Sequence, residues 1–205
     1  MLDKPVVQFK SAKAWETWLA KNYARSDGVW LRFAKKASGI PSPTYDEALD
    51  VALCWGWIDG LKKTYDDKTW VQRFTPRRPR SKWSKRNQDK IQTLTRAGRM
   101  KPAGLKEVAS AKQDGRWARA YGSPATIRVP PDLRAALAKN PRAKATFDTL
   151  LRSYRYAILF RLWDAKRPET RQKRLTDFVT RLARGEAPVL DPSAPAQRKV
   201  KPKVK

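Results

Sequence analysis

Residues able to hold an anion crowd into one stretch, RFTPRRPRSKWSKRN, Arg73–Asn87. Between Gln72 and Lys90 eight Lys and Arg stand against Asp89 alone, a local net charge of +7. Arg73 closes a strand pattern and Arg77 follows Pro76, so the backbone partly fixes both; the planar fork of arginine suits bidentate contact with an oxyanion. Ser81 and Ser84 add hydroxyls, and Asn87 adds an amide one turn later. Trp83 would either stack on a base or sugar or fill the core between hairpin and helices. The pattern predicts a helix over residues 82–97, whose first turn then holds two Lys and one Arg but no acid. A helix N-terminus carries about half a positive charge, and each misplaced cation there costs about 0.3–1 kcal/mol. Local stability does not explain that composition. A bound phosphate or carboxylate would, because free backbone N–H groups at such an end coordinate anions. Pairing with Asp59, Asp66 or Asp67 across the hairpin is the intramolecular alternative.

A second chemical candidate lies just upstream, in CWGWIDG. Gly56 and Gly60 flank Trp57, Ile58 and Asp59, and glycine within a strand often marks a bulge or a close backbone approach. Asp59 is a candidate general base with Arg73 and Arg77 stabilising an oxyanion; a salt bridge or turn cap within the hairpin is the plainer role. A third group is the basic band from Arg152 to Arg174, where Arg167, Arg171 and Arg174 share one helical face.

The elements that must position these residues follow from periodicity. SAKAWETWLAKNY predicts a helix capped by Ser11, with Trp15, Trp18 and Leu19 on one side. GVWLRFAKK alternates as a strand, Val29, Leu31 and Phe33 opposite Trp30 and Arg32. TYDEALDVALCWG opens with the Thr44/Glu47 spacing of a capping box. WGWIDGLKKTYDDKTWVQRFTP predicts a β-hairpin turning at residues 66–68. Helices follow behind Pro102, Pro131, Pro141 and Pro168, with another over YRYAILFRLWDAK. The expected fold is α+β: a small, largely antiparallel sheet with helices over residues 1–98, then an all-helical part over 99–187. Residues 188–205 lack apolar periodicity and read as a disordered basic tail.

Composition narrows the chemistry further. Without histidine and with Cys54 as the single cysteine, the chain supports no internal disulfide, no Cys/His zinc site and no Ser-His-Asp triad. No metal or cofactor is expected. The formal charge of the 205 residues is +27, and removing the +4 of residues 188–205 leaves +23 on the body. Such an excess favours polyanions or reflects a basic lineage kept soluble by charge. The opening residues carry no signal-peptide pattern and no apolar run reaches bilayer length, so the expected location is the cytoplasm, without a membrane span.

With CWGWIDG, RFTPRRPRSKWSKRN and AKRPETRQKRL in order, residues 8–187 resemble the YdeI/OmpD-associated, or bacteriocin-protection, family. Trp55, Gly56, Trp57, Asp59, Arg73, Pro76, Arg77, Ser81, Trp83, Ser84 and Asn87 are the positions that carry the likeness. The resemblance implies a role in resistance to antimicrobial peptides or envelope stress, with no reaction attached. A strongly cationic protein is a poor direct trap for cationic peptides, so an indirect route through an anionic partner is expected. The leading expectation is a non-enzymatic protein binding an anionic small molecule or phosphate group. The site would comprise Arg73, Arg77, Ser81, Trp83, Ser84, Asn87 and Trp57. Largely nonspecific nucleic-acid binding is the alternative, and an enzyme built on Asp59 the second.

Overall fold

The computed structural model describes residues 2–187; the expected tail at 188–205 lies outside them. The chain divides into two compact units after Ala120. The expected boundary at Gly98 falls inside the first unit, because Val108 and Ala111 of the next helix belong to the same core as the sheet.

Four strands make the sheet of the first unit: β1 (Val6–Gln8), β2 (Val29–Ala34), β3 (Trp57–Thr64) and β4 (Thr69–Pro76). Their order is β1-β2-β4-β3, with β1 parallel to β2 and both other pairings antiparallel. The sheet is therefore mixed, and β1 is the strand that periodicity did not disclose. Alternation sorts the residues as expected. Val29, Leu31 and Phe33 pair across the ladder with Phe74, Gln72 and Trp70, all on one face. Asp66 sets the hairpin turn, its Oδ1 accepting from the Lys68 and Thr69 amides at 2.9 and 2.7 Å.

Helix α1 (Ala12–Asn22) starts where Ser11 Oγ accepts the Ala14 amide, and α2 (Tyr45–Cys54) carries the complete Thr44–Glu47 capping box. Trp15, Leu19, Leu49 and Leu53 from these helices join Leu31, Phe33, Trp57 and Phe74 in one core. Each such side chain, fully buried, contributes roughly 1.5–3 kcal/mol. Helix α3 covers Lys85–Arg96 and α4 covers Pro102–Gln113. Gly56 turns the chain from α2 into β3 with φ +75, a left-handed conformation that needs glycine. Gly104 lets α4 meet the end of α2: a Cβ there would stand 2.3 Å from the Cys54 carbonyl oxygen, which also accepts the Lys101 amide at 3.1 Å.

The second unit is all-helical in its described part: α5 (Pro131–Ala138), α6 (Pro141–Thr149), α7 (Arg152–Asp164) and α8 (Pro168–Ala183). Asn140 caps α6 through the Ala143 amide. Leu133, Phe147, Ile158, Leu162, Leu175, Phe178 and Leu182 form its core.

Candidate functional site

The β4–α3 connection is built from its backbone outward. The Arg77 amide donates to the Gly56 carbonyl at 3.0 Å, tying the end of β4 to the start of β3. Ser81 Oγ accepts the Arg78 amide at 2.9 Å and closes a tight turn. Ser84 then caps the helix, its Oγ accepting the Asn87 amide at 3.1 Å. The helix begins at Lys85, three residues later than its periodicity suggested, because Trp83 enters the core at 1% exposure instead of riding on a helical surface. The first turn still contains no acid.

Most of the expected anion ligands are held by the protein itself. Arg77 is 6% exposed, with its guanidinium 3.5 Å over the Trp83 ring and Nη1 donating to the Lys82 carbonyl at 3.2 Å. Arg73 lies on the sheet face opposite Phe74 and pairs with Asp3 at 3.0 Å. Arg86 pairs with Asp46 at 2.6 Å, and Lys90 with Asp50 at 2.7 Å. Burial raises the Asp46 carboxyl, yet the Lys90 and Arg86 cations hold it below the usual range. Ser81 also offers its carbonyl to Arg116 at 3.1 Å, and Asn87 is buried. Trp57 is core, its indole donating to the Tyr23 carbonyl at 3.1 Å. What remains outward is a different trio. Arg78, Arg80 and Lys85 are exposed and enter no ion pair among the described residues.

Asp59 stands on the helix-covered face of β3, opposite Phe74, where its Oδ2 accepts the Tyr45 hydroxyl at 2.7 Å. Burial first, and then the Asp59 carboxylate, push the Tyr45 phenol above its ordinary range, so it remains a donor. Arg73 follows the opposite pleat and Arg77 is turned onto Trp83, so the geometry does not gather Asp59 with these two arginines. Among the described residues no three carboxylate or thiol groups gather closely enough to hold a metal ion. Tyr45 escaped the sequence reading because its partner lies fourteen residues away on another element.

The basic band of the second unit has an internal use. Arg171 forks onto Asp132 at 2.7 and 2.9 Å and donates to the Leu162 carbonyl at 2.6 Å. Arg174 donates to the Arg161 carbonyl at 2.6 Å. Both close the carbonyl end of α7, and Arg155 does the same for α6 through the Phe147 and Asp148 carbonyls.

Two family models match the chain. Residues 126–185, the helices just described, match the model described as "Bacteriocin-protection, YdeI or OmpD-Associated". Over these residues the second unit is similar to the YdeI/OmpD-associated family. Residues 7–107 match a different model, a domain of unknown function (DUF8412). The likeness expected over residues 8–187 thus holds for the block containing AKRPETRQKRL. CWGWIDG and RFTPRRPRSKWSKRN fall under the other model. No curated protein and no solved structure matches the chain.

Proposed function

We propose that the chain is a non-enzymatic binder of anionic ligands, acting in the cytoplasm, with phosphate or carboxylate groups held at the β4–α3 turn. One observation carries this reading. Around an α3 first turn that lacks any acid, Asp3, Asp46 and Asp50 neutralise Arg73, Arg86 and Lys90, while Arg78, Arg80 and Lys85 are exposed and have no counter-charge among the described residues. The ligand-facing residues are thus the exposed trio rather than Arg73 and Arg77. The family matched by residues 126–185 is described by bacteriocin protection, and in this reading an anionic ligand would be the intermediary. Thermal melting with inorganic phosphate, nucleotides and acidic metabolites tests it. The wild type should gain a ligand-dependent rise in melting temperature that Arg78→Ala/Arg80→Ala/Lys85→Ala loses. A wild type indifferent to every one of these anions overturns the reading.

The spread of charge favours a second reading, nonspecific nucleic-acid binding. Residues 1–120 hold 26 Lys and Arg against 12 Asp and Glu, net +14; residues 121–187 hold 15 against 6, net +9. Affinity should then fall with salt at a log–log slope of about −0.7 to −0.9 per phosphate neutralised. Absence of binding at low salt counts against it.

A further inference from the structure

Among the described residues Asp59 is half-buried, accepts a side-chain hydrogen bond from a neutral hydroxyl and forms no ion pair, although the chain is rich in Lys and Arg. Its surroundings show how unusual that is. Asp46 and Asp50, on the same helix as Tyr45, are both paired to cations of α3. Beside Asp59 the β3–β4 ladder shifts register between Asp59 and Lys62, a bulge of the kind that re-aims side chains next to binding sites.

Aromatic rings adjoin the carboxylate. The Tyr45 ring lies 6.3 Å from that of Trp70, and Trp70 stacks on Phe33 at 4.5 Å. Phe33 belongs to β2 and Lys62 to β3, which flank β4, so they approach the Trp70 indole from opposite sides. The Lys62 ammonium stands 4.1 Å from the centre of that indole. A carboxylate without a counter-charge, a phenol that orients it and an indole face able to seat a cation are the parts of an amine site. Lys62 is an exposed side chain, free to swing into solvent.

We propose that this corner binds a primary ammonium group, with Asp59 as counter-charge and Trp70 as the cation–π face, and that Lys62 is the resident ammonium which the ligand displaces. The charge balance permits it. Arg86 is neutralised by Asp46 and Lys90 by Asp50, so among the described residues Asp59 is the uncompensated charge beside Tyr45, and moving Lys62 aside frees the Trp70 face. The excess charge of the body is distributed and screened over about 8 Å at physiological ionic strength. The site shares no ligand-facing residue with the anion-binding trio, and the two readings stand or fall separately.

Titration with n-butylammonium chloride, against sodium chloride at matched ionic strength, tests the proposal by NMR shifts of the Trp70 indole N–H. The wild type should respond to the amine and not to sodium. Lys62→Ala removes the internal competitor and should bind about threefold to fivefold more tightly. Asp59→Asn keeps an oxygen for the Tyr45 hydroxyl but lacks the charge, and should bind about tenfold or more weakly. A response that sodium reproduces, a Lys62→Ala protein that binds no more tightly, or an Asp59→Asn protein that binds like wild type overturns it.

Discussion

Arginines of equal charge do unequal work here, and single substitutions separate them. Arg77 covers the Trp83 ring and satisfies the Lys82 carbonyl, so Arg77→Ala should destabilise the first unit by about 1–3 kcal/mol in chemical denaturation. Arg80→Ala removes an exposed cation and should stay within about 0.5 kcal/mol of wild type. Arg171 joins Asp132 to the end of α7, and lysine there would lose the fork. The hydrogen bond from Arg171 holds the Asp132 carboxyl below its ordinary range, against the opposing effect of burial. A depressed carboxyl stabilises fully above its unfolded value near pH 4 and loses that contribution as pH falls through the folded value. Asp132→Asn should therefore flatten the acid limb of a stability–pH curve below about pH 4 and leave its shape unchanged near neutrality. Solvent reaches a good part of this pair, so the change should be small. None of these distinctions was legible in the sequence, where Arg73, Arg77, Arg78 and Arg80 differ only in position. Their fates depend on Asp3, Trp83 and Gly56, which meet them only after the sheet has formed.

Elements with local signals could be anticipated, and those depending on distant partners could not. Ser11, Thr44 with Glu47, and Asn140 with Pro141 announced three helix starts because capping is a bond between near neighbours. The start of α3 was expected at residue 82, and the burial of Trp83 moves it to Lys85 behind the Ser84 cap. Ser84→Ala should cost about 1 kcal/mol, measurable as a lowered denaturation midpoint. Strand β1 has three residues and a parallel partner beyond an intervening helix, so no alternation could reveal it. Gly104 was equally silent, being a first-turn glycine of α4 whose need lies in the opposing backbone. Alanine there would force α4 off the end of α2, and Gly104→Ala should destabilise by about 2 kcal/mol or more despite its better helix propensity.

At the scale of the whole chain, the acids of the first unit are mostly engaged by cations, caps or turns, which leaves the positive excess outside. That excess repels itself, so salt should stabilise the protein. Raising sodium chloride from low to physiological strength should lift the thermal midpoint by about 2–4 °C for each ~1 kcal/mol of repulsion screened. The direction opposes that expected for polyanion binding, where the same salt weakens affinity. No described helix is long and apolar enough to cross a membrane. The close crossing of α4 over the end of α2 also has an experimental use. It packs against the backbone of Cys54, the single cysteine, which is buried and whose thiol burial pushes up to about 11. Alkylating reagents can reach that buried thiol only when the packing around it opens. The rate of its labelling, followed under native conditions, thus becomes a built-in clock for how often the first unit opens, with no reporter group engineered into it.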